Sequence, residues 1–167
     1  MERGVETIKQ GAFLNCTSLT SVTIPDTVTS IEYLAFRNTG LTSVDIPGSV
    51  ETIGQEAFSG CAQLGSVTIG DGVQTIGLDA FAGCTKLDSV TIAEGVKTIE
   101  RGVFYDCPAL TSITIPKSVT SIGSYVFDGS GVTTVNYPGS QTEWNQITIG
   151  SPNDKLNGAA KNFNVSP

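Results

Sequence analysis

Apolar residues recur along the chain at a spacing close to 23 residues. The first element of each recurrence is a valine followed three residues later by an isoleucine, and the isoleucines are Ile8, Ile31, Ile53, Ile76, Ile99 and Ile122. Five residues after each isoleucine comes a phenylalanine, giving the series Phe13, Phe36, Phe58, Phe81, Phe104 and Phe127. A fixed period of this length is typical of repeat proteins, in which each unit buries its apolar side against its neighbours. The pattern therefore predicts six stacked repeats.

A second apolar motif in each repeat predicts a short strand. In the first repeat it consists of Leu19, Val22 and Ile24, and the last two alternate with polar residues, which is the period-two pattern of a half-buried strand. Proline follows this motif in four of the six repeats, at Pro25, Pro47, Pro116 and Pro138, which is typical of a strand end. Stacking predicts a parallel sheet of six such strands, roughly 29 Å long at about 4.8 Å per strand.

Taken together, these motifs resemble one known family. The segment Ala12-Phe13-Leu14-Asn15-Cys16-Thr17-Ser18-Leu19, with the Leu-x-x-Val-x-Ile core, resembles the repeat of the BspA-like leucine-rich repeat proteins, typically found on bacterial cell surfaces. The resemblance covers about 135 of the 167 residues. It implies a solenoid fold: a right-handed leucine-rich-repeat superhelix with short parallel β-strands, few short helical or 3-10 turns and a C-terminal cap. It also implies a concave sheet used for adhesion or protein interaction.

The repeats are expected to occupy residues 1–140, and residues 141–167 are expected to form a capping segment. After Ser140 the repeat pattern ends, and the residues predicted to face the last repeat are Trp144, Ile147, Ile149 and Phe163. At the other end, Met1–Gly4 is too short to cover the first repeat. We therefore expect this chain to be a fragment, or upstream repeats and a signal sequence to have been removed from it.

The second and sixth repeats are one residue shorter than the others after the phenylalanine. Both lack the cysteine that other repeats carry there, and both shortened stretches end in glycine, at Gly40 and Gly131. Glycine adopts a positive φ without steric cost. We therefore expect a tighter turn with a positive φ at these two glycines.

Composition excludes several functions. Acidic residues outnumber basic residues 16 to 9, and a net charge of -7 argues against binding to nucleic acid or to an anionic membrane. The chain has no histidine, the usual general base and the commonest metal ligand. No apolar run reaches the ~18 residues of a membrane helix. We expect no catalytic activity, no cofactor, no metal site and no membrane insertion.

Four cysteines occupy the same repeat position: Cys16, Cys61, Cys84 and Cys107. Neighbouring positions in a parallel ladder lie about one strand spacing apart, slightly beyond the ~3.8 Å between the Cβ atoms of a disulfide. A zinc site needs converging ligands, whereas a ladder places them in a line. Buried free thiols are predicted, with a disulfide or a metal site as alternatives.

The outward positions of the strands carry mostly hydroxyl side chains. Ladders of serine and threonine suit an exposed sheet surface without further function. They are also the candidate ligand-binding surface, because solenoids bind through extended concave faces. The candidate contact residues are Ser21, Thr23, Ser43, Asp45, Ser66, Thr68, Ser89, Thr91, Ser112 and Thr114.

These observations predict a non-catalytic protein-interaction or adhesion module of a secreted or cell-surface bacterial protein. Its partner would be an extracellular protein or a glycan. The alternative is a structural spacer that displays another domain and has no ligand of its own. Ice binding through the hydroxyl array is disfavoured, because Asp45 interrupts the array and a concave sheet is not flat.

Overall fold

The computed structural model describes residues 4–166 as a solenoid of short parallel strands with two short helices near its C-terminal end. The strands are β1 (Thr7–Ile8), β2 (Ser30–Ile31), β3 (Ser43–Ile46), β4 (Thr52–Ile53), β5 (Ser66–Ile69), β6 (Thr75–Ile76), β7 (Ser89–Ile92), β8 (Thr98–Ile99), β9 (Ser112–Thr114), β10 (Ser121–Ile122), β11 (Thr134–Tyr137), β12 (Thr148–Ile149) and β13 (Ala160–Phe163). The helices are α1 (Gln141–Trp144) and α2 (Asp154–Gly158). The predicted solenoid of short parallel strands is confirmed. Of Met1–Gly4, expected to be too short to cover the first repeat, only Gly4 lies within the described residues.

The six valine–isoleucine motifs and strand β12 of the C-terminal segment form one continuous sheet of seven strands, in the order β1-β2-β4-β6-β8-β10-β12. Each strand contributes a threonine or serine followed by an isoleucine, and equivalent residues pair, so that Ile31 lies opposite both Ile8 and Ile53. The isoleucines of the first six strands are buried. Sequence periodicity thus translates directly into register, because a shift by one residue would expose every isoleucine.

The strands of the second motif do not form the single six-stranded sheet that we expected. They form two separate three-stranded sheets, β3-β5-β7 and β9-β11-β13. The corresponding segment of the first repeat, residues 21–24, is not a strand, and its Val22 is only partly buried. We call the outward side of residues 21–24 and of strands β3, β5, β7, β9 and β11 the long-strand face.

Proline contributes to both breaks in this ladder. Within the intact sheet, the N–H of the residue after each strand donates to the preceding repeat: Gly70 to the Ile46 carbonyl at 2.9 Å, and Ala93 to Ile69 at 3.0 Å. Strand β3, which begins after the first break, is followed directly by Pro47, and β9, which begins after the second break, is followed by Ile115 and then Pro116. These prolines occupy the position of Gly70 and Ala93 but have no N–H to donate. Strand β11 also precedes a proline but stays paired to β9, so proline weakens the junction without being sufficient to open it.

The core is built from columns of like side chains. The phenylalanine rings stack with centroids 5.0 to 5.9 Å apart and interplanar angles of 6° to 11°. Five of these rings are fully buried: Phe36, Phe58, Phe81, Phe104 and Phe127. Each repeat alone would leave its ring in water, so burial of the column depends on the neighbouring repeats.

Every repeat turns around its phenylalanine with two residues in the left-handed region. They lie two residues before and two residues after the ring, as Asp79 (φ 53°) and Gly83 (φ 71°) do around Phe81. The earlier position is held by Gly11, Leu34, Glu56, Asp79, Gly102 and Tyr125. Glycine is the residue that adopts this conformation most easily, yet four of the six repeats place a larger side chain there.

The expectation of a positive φ at Gly40 and Gly131 is wrong. In these repeats the left-handed residues after the phenylalanine are Asn38 (φ 56°) and Gly129 (φ 70°). Gly40 is needed for a different reason, because a Cβ at this position would collide with the carbonyl oxygen of Thr17 in the preceding repeat. Gly131 meets the same restriction against its own preceding repeat. The shortened turns therefore need glycine for close backbone approach.

Beyond Ser140 the chain adds one strand to the seven-stranded sheet and one to the sheet that contains β9 and β11. Strand β12 pairs with β10, and β13 pairs with β11. Helix α1 begins with a capping box, in which the Ser140 hydroxyl accepts from the Glu143 N–H at 3.2 Å and the Glu143 carboxylate accepts from the Ser140 N–H at 2.7 Å. Of the four residues predicted to face the last repeat, Trp144 and Ile147 are buried, whereas Ile149 and Phe163 are partly buried.

Candidate functional site

The outward residues of the long-strand face form two rows. Strands β3, β5 and β7 pair in register, which aligns one row of Ser43, Ser66 and Ser89 and a second row of Asp45, Thr68 and Thr91. These six side chains are exposed. The structure therefore brings six of the ten candidate residues together on one sheet.

The other four candidate residues lie beyond the two breaks. Ser112 and Thr114 belong to the next sheet, where Thr114 is half-buried, and Ser21 and Thr23 are exposed on the segment that is not a strand. The break before β3 leaves a cavity of about 240 Å³ between this segment and the strand. Asp45 lines this cavity, so the acidic residue that interrupts the hydroxyl array lies at an indentation of the surface.

The chemistry of this face is hydrogen bonding. Serine and threonine hydroxyls both donate and accept, and Asp45 adds a carboxylate acceptor. Across residues 4–166 no group of three or more side chains is arranged to hold a metal ion. Neither helix among these residues has the length and apolarity of a membrane span. The face is suited to contact with polar groups of another molecule.

Three of the four cysteines pack in the core as expected for free thiols. Each sulfur donates a weak hydrogen bond to the phenylalanine carbonyl of the preceding repeat: Cys61 to Phe36 at 3.1 Å, and Cys84 to Phe58 at 3.3 Å. Burial raises the pKa of all three thiols, and that of Cys107 to about 12. These thiols are therefore protonated at neutral pH and poor nucleophiles.

Cys16 departs from the prediction of buried thiols, because it is exposed. Its repeat is the first among the described residues, so no preceding phenylalanine carbonyl is present to receive its sulfur. The second repeat holds no cysteine beside it either. All four cysteines are free.

A second cavity lies where the sequence suggested no site. It has a volume of about 350 Å³ and lies on the side of the solenoid formed by the turns around the phenylalanines; we call it the turn-face cavity. Its lining includes Glu56, Asp79, Arg101, Tyr105, Tyr125 and Asp128. A signal was present in the sequence, since charged and aromatic residues occupy positions where other repeats have glycine, serine or alanine.

The sequence matches the family model described as "BspA type Leucine rich repeat region", with six copies over residues 1–109 and 33–151. Similar solved structures are bacterial. A leucine-rich repeat protein from Bacteroides ovatus is 25% identical with a TM-score of 0.78, over 98% of this chain and 48% of that one. A leucine-rich repeat protein from Eubacterium ventriosum is 27% identical with a TM-score of 0.60, over 75% of this chain and 32% of that one.

The pneumococcal vaccine antigen PcpA is similar in fold alone, at 20% identity and a TM-score of 0.54, over 68% of this chain and 29% of that one. The present chain thus spans about half the length of the Bacteroides ovatus protein and about a third of the Eubacterium ventriosum protein. No curated protein matches the sequence.

Proposed function

The chain belongs to the BspA-type leucine-rich repeat family, and on that premise we propose that it is a non-catalytic interaction or adhesion module of a secreted or cell-surface bacterial protein. The long-strand face is its contact surface, and the partner is an extracellular protein or a glycan. The observation that supports this most is the block of six exposed side chains on β3, β5 and β7, held in two rows by the register of the sheet.

The chemistry of the face favours a polar partner. Hydroxyl rows spaced by one strand offer repeated donors and acceptors, and a partner with its own repeated polar groups makes many weak contacts at once. The strands themselves are held rigid by the core, so little conformational entropy is lost on binding. The ten candidate residues include none of the tyrosine, tryptophan and arginine residues that dominate tight interfaces. Single contacts are therefore weak, and useful affinity comes from their number.

A location outside the cell is compatible with the cysteines. Three of the four sulfurs are buried and bonded to backbone carbonyls, which protects them from oxidation without a disulfide. Proteins of this family are typically displayed on bacterial surfaces, which is the basis for this part of the proposal.

The second candidate is a spacer without a ligand. It is favoured by the uniformity of the long-strand face, because serine and threonine ladders stabilise an exposed sheet whether or not anything binds there. In that case the solenoid holds another domain at a fixed distance.

A binding screen against extracellular-matrix proteins and a glycan array separates these possibilities. The test variant carries Ser66→Lys, Thr68→Lys, Ser89→Lys and Thr91→Lys on the long-strand face. The matched control carries four lysines at exposed positions off that face: Gln74→Lys, Thr85→Lys, Thr120→Lys and Thr142→Lys.

A partner lost only in the first variant supports the long-strand face as the contact surface. A partner retained by both variants places the contact on the turns or on the C-terminal segment. Loss in both variants means that added positive charge, and not the position, abolishes binding. Absence of any partner for the parent chain favours the spacer.

A further inference from the structure

The turn-face cavity is lined mainly by residues that lie two positions before and one position after the phenylalanines of successive repeats. Two residues before the phenylalanine, successive repeats carry Glu56, Asp79, Gly102 and Tyr125. Gly102 has no side chain, and a Cβ there would collide with the carboxylate of Asp79. The missing side chain at Gly102 leaves room for the Asp79 carboxylate, and both residues line the cavity.

The carboxylate of Asp79 lacks an ionic partner. The ion pairs among residues 4–166 join Arg37 to Glu56 at 2.5 Å and Lys117 to Glu143 at 2.8 Å, so neither uses Asp79. Partial burial raises the pKa of Asp79, with Arg101 acting against this rise. A carboxylate that is partly removed from water and unpaired gains more from an arriving positive charge than a solvated one does.

Aromatic rings complete the lining. The Arg101 guanidinium lies 5.4 Å from the centroid of the Tyr125 ring, a cation–π contact that is already formed within the chain. Tyr105 also lines the cavity and is 39% exposed. Tyrosine faces beside carboxylates are a combination that suits cationic groups, because the ring and the carboxylate both attract positive charge.

We infer that the turn-face cavity binds a lysine or arginine side chain of a partner protein. Glu56 is already paired with Arg37, but Asp79 and Asp128 still outnumber Arg101 among the other charged lining residues. The whole chain also carries a net charge of -7, which attracts a basic partner over distance. The volume of about 350 Å³ lies at the lower end of the range for small ligands, roughly 300 to 1,000 Å³, and accommodates one extended side chain. A neutral sugar would bring no positive charge to Asp79, which only Arg101 now opposes from within the lining.

This site is separate from the long-strand face and does not depend on the function proposed above. None of the candidate residues of that face lines the turn-face cavity. A failure of either proposal therefore leaves the other untouched.

The test is a titration of the isotope-labelled chain, monitored by backbone amide chemical shifts. The probes are N-acetyl-arginine amide and N-acetyl-lysine amide, with N-acetyl-norleucine amide as the neutral comparison and N-acetyllactosamine as the sugar. We expect saturable shifts at Asp79, Gly102 and Tyr125 with the two cationic probes. The affinity should fall when NaCl is raised from about 20 mM to about 300 mM, because the attraction is screened.

Two variants connect the binding to the proposed residues. Asp79→Asn removes the charge and is tolerated at φ 53°, since asparagine adopts the left-handed region readily. We expect a roughly two- to fivefold loss of affinity. Tyr125→Leu removes the ring and keeps the backbone, because Leu34 holds the equivalent position at φ 58°. The matched control, Asp88→Asn, removes one exposed carboxylate outside the cavity and should bind the probes as the parent does.

The inference is overturned if the cationic probes leave the three amides unshifted, or if the neutral comparison shifts them equally. Stronger shifts with N-acetyllactosamine would assign the cavity to a glycan instead. Equal losses in Asp79→Asn and Asp88→Asn would mean that only the net charge of the chain matters. Melting temperatures of the variants establish that each is folded, and the salt dependence of the parent chain tests the inference without any variant.

Discussion

The two ends of the stack use the same kinds of apolar side chain but expose them differently. At the end nearer the N-terminus, within residues 4–166, Phe13 is only partly buried and Val5 is 59% exposed. An apolar cavity of about 400 Å³ lies there, lined by residues that include Ile8, Phe13 and Val22. At the other end, Phe127 is fully buried.

The difference arises from the C-terminal segment that covers the sixth repeat. Trp144 and Leu156 are buried, and the Tyr137 ring meets the Trp144 ring edge-on at 5.2 Å. Polar groups are satisfied as well, because the buried Asn153 side chain accepts from the Val126 N–H at 3.0 Å and donates to two glycine carbonyls at 2.6 Å each. An end of a solenoid needs apolar cover and also hydrogen-bond partners for the groups that the next repeat would have satisfied.

The largest expected effect contrasts the interior of the stack with its first repeat. Phe81→Ala should destabilise the chain by ~3–5 kcal/mol, because the ring is buried between two neighbours. Phe13→Ala should cost only about 1–2 kcal/mol, because its ring stacks on one neighbour, Phe36. Urea unfolding measures both, with Thr91→Ala on the exposed face expected to cost under about 0.5 kcal/mol. Equal costs for the two phenylalanines would remove the distinction between the ends.

The covered end should depend on one buried amide. Asn153→Ala leaves the Val126 N–H and two carbonyls without partners, and we expect a loss of about 2–4 kcal/mol in unfolding free energy. Asn157→Ala, an exposed change in helix α2, is the control and should cost under about 0.5 kcal/mol. If both variants have the same unfolding free energy as the parent chain, the apolar contacts alone stabilise this end.

Cysteine reactivity should report the same contrast. With a thiol-specific aromatic disulfide reagent, Cys16 should react in the native chain, whereas Cys61, Cys84 and Cys107 should react only after unfolding. Cys84→Ser should cost roughly 1 kcal/mol, because it places a hydroxyl in an apolar column, and Cys16→Ser should cost less than about 0.5 kcal/mol. Rapid reaction of more than one thiol in the native state would mean that the column opens readily.

The smallest effect concerns the ion pair beside helix α1. This pair joins Lys117 to Glu143, and the hydrogen bonds that the Glu143 carboxylate accepts from Lys117 and Ser140 lower the pKa of Glu143 from 4.5 to about 2. Because the folded-state pKa is the lower one, the pair stabilises the chain above pH 4.5, and this contribution disappears as the pH falls towards 2. Both side chains are exposed, so the effect on stability is small.

Melting temperatures of the parent chain and of Glu143→Gln measure this contribution. The parent should melt slightly higher at pH 6, and the two curves should converge at acidic pH. Glu51→Gln, an exposed change just before strand β4, should behave as the parent does. A difference between the parent and Glu143→Gln that persists below about pH 2 would contradict the role of the ionised carboxylate.

The repeat, its columns and the outward rows of the long-strand face could all be predicted from the sequence. Val67 and Ile69 are buried while Ser66 and Thr68 are exposed, as alternation along a strand requires. Such predictions succeed because each repeat contacts mainly its neighbours, which carry nearly the same pattern. The exposure of Cys16 could not be predicted in this way, because it depends on the surroundings of the first repeat.

The sequence by itself therefore determined the solenoid and the side of it that each repeated residue faces. The tertiary structure alone decided where the ladder of the long-strand face breaks. It also brought the Thr17 carbonyl so close to Gly40 that no side chain fits there, and it placed Asn153 where its amide completes the hydrogen bonds of the covered end. It also decided that Asp79 and Tyr125, which come from repeats that are not adjacent, line one cavity across Gly102. The physical reason is that periodicity specifies the features that the repeats share, whereas these features arise from the residues in which neighbouring repeats differ.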